Sequence, residues 1–156
     1  MPVVDLPELS ADAPANTPLF GLDLGTKTIG VAVSDVTRLI ASPLVLIRKT
    51  KFTAEAEELF RLMVGRGASA VVIGLPVNMD GSEGPRAQSA RAFGRNLLRL
   101  KPELTVSYWD ERLSTAAVNR MLIDDADLSR AKRAEVVDRT AAAYILQGAL
   151  DRLRAG

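Results

Sequence analysis

The chain has 156 residues, 47% of them apolar and 25% charged, which is typical of one globular domain. It contains neither cysteine nor histidine, and this excludes disulfides, thiolate metal sites, cysteine nucleophiles and imidazole acid–base catalysis. The net charge is only +1, but fifteen of the 20 cations are arginine, the side chain best suited to bidentate contact with phosphate. An enzyme of this composition must work with carboxylates, lysine, hydroxyls or a metal held by oxygen atoms.

Residues 1–17 are rich in proline, alanine and acidic residues and contain no cation, a composition that predicts a disordered N-terminal tail. They lack the basic segment and apolar run of a secretory signal. No segment approaches the roughly 18 consecutive apolar residues that a membrane span needs. We therefore expect one domain over residues 18–156, a cytoplasmic location and no membrane association.

Three short strands follow the tail and are joined by turns, which favours an antiparallel meander. They are predicted at Leu19–Leu24, Thr28–Ser34 and Pro43–Arg48. The remaining predicted elements are a helix over Thr53–Arg66, a strand over Ser69–Gly74, a loop over Leu75–Gly84, a helix over Pro85–Leu100, a strand over Leu104–Trp109, a helix over Ser114–Ile123, a charged loop over 124–132 and a helix over Ala134–Arg152. This order predicts an α/β fold, in which a mixed five-stranded sheet combines the antiparallel meander with parallel strands and is flanked by helices.

Acidic residues stand out at three places in this pattern. Asp23 interrupts an apolar strand, and small residues such as Gly30 in the next strand leave room beside it. Asp110 and Glu111 directly follow the fifth strand, and the carboxyl ends of strands are where sheet proteins place ligand groups. Asp138 lies among apolar residues early in the final helix. Each also has a structural interpretation: Asp23 as a cap of the Gly25 turn, Asp110 and Glu111 as a solvated pair before a helix, and Asp138 as the ion-pair partner of Arg139.

Carboxylates from three elements can converge only through the fold, and clustered anions raise one another's pKa unless cations lie between them. Without histidine or cysteine, the matching cations are Mg²⁺ or Mn²⁺, which prefer oxygen ligands. Two such ions, about 3.5–4 Å apart, commonly drive phosphodiester hydrolysis. The pattern therefore predicts a site for two divalent ions.

Four segments then point to a known family: LFGLDLGTKTIGVAVSD, VVIGLPVNMDGSEGP, YWDERLST and VDRTAAAYILQGALD. Together they strongly resemble the YqgF/RuvX family, over about residues 19–153. The resemblance implies an RNase H-like fold and a phosphodiester-hydrolysing endonuclease that matures the 5′ end of precursor 16S rRNA, or alternatively resolves Holliday junctions in branched DNA. It places the family's three catalytic, metal-binding acids on Asp23, Glu111 and Asp138.

Weaker candidates for substrate contact surround these acids: Thr26, Lys27, Asn78, Arg112 and the helix stripe Arg91, Arg95 and Arg99. The presence of Thr26 and Lys27 is explained equally well by the residue preferences of a turn. Asn78 is also explained by its place in a solvated loop. The sequence does not decide whether Arg112 pairs with Asp110 or with phosphate. The stripe has no acid between residues 85 and 102, so it favours phosphate binding or is an ordinary solvated helix face.

The expected partner is thus nucleic acid, either precursor 16S rRNA with the ribosomal subunit or branched DNA, bound by a monomer or a homodimer. Two other classes stay open at this stage. The segment DLGTKTIGVAVSD also resembles the phosphate-binding hairpin of sugar kinases and actin-like ATPases, although those proteins enclose ATP between two such domains. A non-catalytic nucleic-acid-binding module is the third class, and the retention of all three acids argues against it.

Overall fold

The computed structural model describes residues 5–113 and 130–155, apart from the side chains of residues 10, 12, 113, 130–139 and 155. The elements in chain order are α1 (Leu6–Asp12), β1 (Phe20–Leu24), β2 (Thr28–Ser34), β3 (Ala41–Arg48), α2 (Phe52–Arg66), β4 (Ala70–Leu75), α3 (Pro85–Leu100), β5 (Thr105–Asp110), a single 3₁₀ turn (Glu111–Leu113) and α4 (Arg130–Ala155). The predicted α/β fold with a mixed five-stranded sheet is confirmed. No helix in the described part of the chain is long and apolar enough to span a membrane.

The five strands lie in the order β3-β2-β1-β4-β5. The pairs β1–β2 and β2–β3 are antiparallel, which confirms the meander, whereas β1–β4 and β4–β5 are parallel. Because parallel strands share one direction, the carboxyl ends of β1, β4 and β5 meet at the same edge of the sheet. This edge receives Asp23 from β1 and Glu111 from the turn after β5.

Helices cover both faces of the sheet, and side chains alternate between them. Leu22, Val31 and Ile73 lie in the hydrophobic cluster that includes residues of α2 and α3. The alternate positions, among them Leu19 and Val72, lie in a second cluster with residues of α4 and α1. Asp23 has the same parity along β1 as Leu19, so it belongs to the face that α4 covers.

The helix α4 lies very close to β1. A Cβ placed on Gly21 would be 2.7 Å from the Cβ of Leu146 and 3.2 Å from the carbonyl oxygen of Ala142, so a larger residue at this position would push the helix away. The described side chains of α4 that face the sheet, including Ile145 and Ala149, are fully buried. Close packing at Gly21 therefore fixes the distance between α4 and the strand that carries Asp23.

The N-terminal segment differs from the expected disordered tail, because residues 6–12 form α1. Leu9 is fully buried and Ala13 nearly so in the cluster on the α4 face. The segment after the helix is held by Arg38, whose guanidinium donates to the carbonyl oxygens of Pro14 at 2.6 Å and Thr17 at 2.9 Å. Proline and acidic residues suggested disorder, but the spacing of Leu6, Leu9 and Ala13 suits one apolar helix face.

Several element boundaries also differ from the prediction. The strand β3 begins at Ala41, two residues early, and β5 is shifted by one residue to end at Asp110. The helix α2 begins at Phe52 and ends, as predicted, at Gly67, which adopts the left-handed conformation with φ 70°. The helix α4 begins at Arg130, inside the predicted charged loop. The predicted helix over Ser114–Ile123 lies outside the described residues.

Candidate active site

Asp23 is the penultimate residue of β1, and it stands opposite Gly30 of β2. The predicted pairing of the acid with a small residue is therefore confirmed. The chain then turns tightly into β2, with the amide of Gly25 donating to the carbonyl oxygen of Thr28 at 2.9 Å. The carboxylate of Asp23 is thus held on a rigid strand at the edge where the three parallel strands end.

Glu111 reaches the same place from the other side of β4. It begins the 3₁₀ turn after β5, and its side chain lies over Gly74: a Cβ on Gly74 would be 3.2 Å from both Cγ and Cδ of Glu111. The absence of a side chain on Gly74 leaves the space that the glutamate occupies. The side chains of Asp23 and Glu111 are in hydrogen-bond contact, so the fold joins these two predicted acids across β4.

The environment of this pair disfavours two negative charges. Burial raises the pKa of Glu111, and the nearby charge of Asp110 adds to this effect, whereas the contact with Asp23 and the charge of Arg86 oppose it. Two carboxyl groups in contact can both be ionised at low cost only when a cation or a donor lies close to them. The pair is therefore suited either to share a proton or to bind a cation.

Asp110 points away from this pair. The guanidinium of Arg112 grips its carboxylate, with Nη2 donating to Oδ2 at 2.6 Å and Nε to both oxygens at 3.0 and 3.1 Å. This pairing lowers the pKa of Asp110. Asp110 also lines a cavity of about 400 Å³ whose lining includes Arg91 and Tyr108 but neither Asp23 nor Glu111.

The contact with Asp110 is one of the two alternatives that the sequence left open for Arg112. The same guanidinium donates through Nη1 to the carbonyl oxygens of Asn78 and Met79, each at 3.4 Å. The side-chain nitrogen Nδ2 of Asn78 in turn donates to Ser82 Oγ at 3.0 Å. Arg112 and Asn78 therefore both hold the loop between β4 and α3 in place.

Thr26 and Lys27 lie in the β1–β2 turn, and both are exposed. Thr26 and Lys27 follow Asp23 by three and four residues, so this turn lies next to the carboxylate pair. The carbonyl oxygen of Lys27 accepts a hydrogen bond from the amide of Lys49 at 2.9 Å. This bond fixes the backbone of the turn and leaves both side chains at the surface.

The arginine stripe of α3 is only partly as expected. Arg91 forms a two-point ion pair with Glu83, at 2.6 and 2.8 Å, and its guanidinium lies 4.9 Å from the ring centre of Tyr108. The expectation of a stripe without counter-charge is therefore wrong for Arg91, because Glu83 lies just outside the acid-free segment and folds back onto it. Arg95 and Arg99 are exposed, as predicted.

The structure adds one residue to the candidates, Arg86. This second residue of α3 donates from Nη2 to the carbonyl oxygen of Leu24 at 3.4 Å, and its charge reaches Glu111. The sequence shows Arg86 only as a cation at the beginning of a helix, so nothing local indicates that it lies at the edge where β1 ends.

Asp138 lies in α4, one turn before Ala142. Its side chain is outside the part of the structure that is described, so its expected place beside Asp23 and Glu111 stays a prediction. Within the described part of the chain, no group of three or more acidic side chains is arranged to hold a metal ion.

Comparison with known proteins identifies the family. The model of the family described as RuvX, Holliday junction resolvase, matches residues 17–152. The chain belongs to the RuvX family. This membership confirms the prediction of a phosphodiester-hydrolysing endonuclease.

Close relatives match over nearly their whole length. A protein of Phenylobacterium zucineum is 70% identical and one of Caulobacter vibrioides (strain NA1000 / CB15N) is 65% identical, each over 99% of both chains. Both carry the provisional name pre-16S rRNA nuclease. The family membership therefore rests on relatives that align with the whole domain.

Solved structures share the fold at much lower identity. Thermus thermophilus RuvC in complex with a Holliday junction substrate is 14% identical, with a TM-score of 0.52 over 88% of this chain and 96% of that one. The yeast mitochondrial Holliday junction resolvase is 12% identical, with a TM-score of 0.50 over 96% of this chain and 87% of that one. The chain thus shares the RNase H-like fold of these resolvases, as the family resemblance implied.

Proposed function

We propose that the protein is a metal-dependent endonuclease that hydrolyses a phosphodiester bond of precursor 16S rRNA. The observation that carries the proposal is the contact between Asp23 and Glu111 at the carboxyl edge of the sheet. The provisional name of the two relatives described above supports this substrate. We place the reaction in the bacterial cytoplasm, where precursor rRNA is processed.

The carboxylate pair fits divalent cations. Both side chains offer oxygen ligands, and a chain without histidine and cysteine has no softer donors to compete with them. A bound cation would also remove the repulsion between two acids held in contact. We propose that Asp23, Glu111 and Asp138 hold two Mg²⁺ or Mn²⁺ ions. The chemistry that such ions supply when bound is activation of the attacking water and stabilisation of charge on the phosphate.

The residues of the chain have separable roles in this proposal. Asp23 is fixed by a paired strand, and Glu111 is fixed over Gly74, so their oxygen atoms are preorganised before the substrate arrives. We propose that Thr26, Lys27 and the exposed arginines of α3, Arg95 and Arg99, contact the RNA backbone. Asn78, Arg91 and Arg112 shape the border of the binding surface through their bonds to the loop and to neighbouring acids.

Cleavage of a precursor 16S rRNA fragment in vitro tests the proposal. The wild-type protein should cut the fragment with Mg²⁺ or Mn²⁺, and Asp23→Asn should abolish cutting while the protein stays folded. The amide keeps the shape of the side chain but loses the charge that binds metal, so thermal stability should be equal or higher. Wild-type turnover by Asp23→Asn, or a collapse of its Tm, would contradict the role given to Asp23. In cells, depletion of the protein should leave 16S rRNA with unprocessed 5′ ends.

Holliday junction DNA is the second candidate substrate, because the description of the matching family names that activity. A symmetric junction favours a dimer with two active sites, whereas one rRNA end needs only a monomer. Parallel assays with a four-way DNA junction and with the rRNA fragment, combined with light scattering, separate the two candidates. Cutting of the junction at paired symmetric positions by a dimer, with the rRNA left intact, would favour the DNA substrate.

A further inference from the structure

Arg86 occupies a distinctive position among the cations near the carboxylate pair. Its guanidinium donates to the carbonyl oxygen of Leu24, the residue that follows Asp23 in β1. Its positive charge acts on Glu111, on the other side of the pair. One side chain from α3 thus contacts the strand that carries Asp23 and lies near enough to Glu111 for its charge to act there.

The neighbouring arginines are engaged differently. Arg91 and Arg112 each grip a carboxylate through two or more short hydrogen bonds, so their charges are neutralised where they lie. Among the described residues, Arg86 donates to a neutral carbonyl oxygen, that of Leu24, at the long distance of 3.4 Å. A guanidinium carries five N–H donors in a fixed plane, and one such bond leaves donors that can bind an anion.

We propose that Arg86 binds a non-bridging oxygen of the phosphate that is cleaved and holds this phosphate over Asp23 and Glu111. The inference deepens the proposed nuclease function and rests on it. The bond to Leu24 orients the guanidinium before the substrate arrives. Such preorganised donors act more strongly on charge that develops in the transition state than on the bound ground state.

The expected effect is therefore on turnover more than on affinity. Loss of one preorganised donor to developing charge typically lowers turnover about 100- to 1000-fold, and we expect the lower end for Arg86, because it is exposed. RNA binding involves many phosphates, so the loss of one contact should weaken the affinity less than about tenfold.

Arg86→Gln, Arg86→Lys and Arg61→Gln test this inference. Arg61 lies on α2 and its side chain is 76% exposed, so Arg61→Gln removes one positive charge away from the site. Turnover is measured at saturating RNA fragment with Mg²⁺. Affinity is measured by fluorescence anisotropy in an Asp23→Asn background, where no cleavage occurs, and folding by thermal melting.

Arg86→Gln should lower turnover about 100-fold with little change in affinity or Tm. Arg86→Lys should recover part of the turnover, because it restores the charge without the planar fork, and Arg61→Gln should match the wild type. Turnover of Arg86→Gln within threefold of the wild type, an equal loss in Arg61→Gln, or a loss that appears only in affinity would each overturn the role of Arg86. If the wild-type protein itself does not cut the RNA, the proposed function fails and this inference fails with it.

Discussion

The substitution Gly74→Ala tests whether Gly74 positions Glu111, because it should lower turnover by more than the loss of fold stability explains. The new Cβ would lie 2.5 Å from Cδ1 of Ile145 and 3.2 Å from Cγ and Cδ of Glu111. The end of the isoleucine side chain can rotate away, but Glu111 must move by several tenths of an ångström. Overpacking of this kind lowers the free energy of unfolding by about 1–3 kcal/mol. Replacing glycine by alanine also reduces the conformational entropy of the unfolded chain, which offsets about 0.4–1 kcal/mol of this loss.

The net destabilisation should therefore be at most about 2.6 kcal/mol, which corresponds to a fall in Tm of up to about 10 °C at this chain length. The turnover of Gly74→Ala should fall by more than this loss of fold stability can explain. Since a displacement of about 1 Å can cost 100-fold in rate, a shift of several tenths of an ångström should cost about tenfold. The assay is cleavage of the RNA fragment at a temperature well below the Tm of every variant.

Gly94→Ala is the matched control. A Cβ on Gly94 would clash with the hydroxyl of Tyr108, so this variant also overpacks a helix against the sheet, but on the opposite face from Glu111. It should lose a similar amount of Tm and keep most of its turnover. Equal turnover losses in Gly74→Ala and Gly94→Ala, or unchanged turnover in Gly74→Ala, would refute the idea that Gly74 positions Glu111.

Three further predictions concern the metal, the choice between adjacent acids, and the response to acid. Excess EDTA should abolish cleavage, and added Mg²⁺ or Mn²⁺ should restore it; persistent cleavage in EDTA would argue against oxygen-bound metal at the site. Glu111→Gln should lose far more turnover than Asp110→Asn, because Asp110 is held by Arg112 and faces away; equal losses would contradict this distinction. Hydrogen bonds from the Ile40 amide and then the Thr37 hydroxyl lower the pKa of Asp35 from 3.8 to about 2, so its stabilisation is complete above pH 3.8 and is lost as the pH falls towards 2. Asp35→Asn should have a lower Tm than the wild type at pH 7, and the difference should shrink across that window; a constant difference from pH 7 to pH 2 would rule out this contribution.

The sequence alone predicted the five strands, the helices α2 and α3 and the faces to which strand residues point, but it did not predict α1. A period-two pattern placed Asp23 on the same face of β1 as Gly21 and opposite small residues of β2, and the structure has that register. Short turns between three strands required the meander, and long helical segments required the later parallel strands. These inferences succeeded because they depend on neighbours along the chain, where backbone geometry fixes which side chains share a face.

Tertiary structure decided which distant groups meet. The contact between Asp23 and Glu111 depends on β4 lying between β1 and β5 and on Gly74 having no side chain; no local pattern encodes either fact. The pairing of Arg91 with Glu83 and the approach of Arg86 to Leu24 likewise arise where a loop and a helix fold back over the sheet edge. The burial of Leu9 depends on the apolar face of α4, since a short helix gains most of its stability from packing against a partner. Such contacts join residues far apart in sequence, and only the packing of whole elements determines their distances.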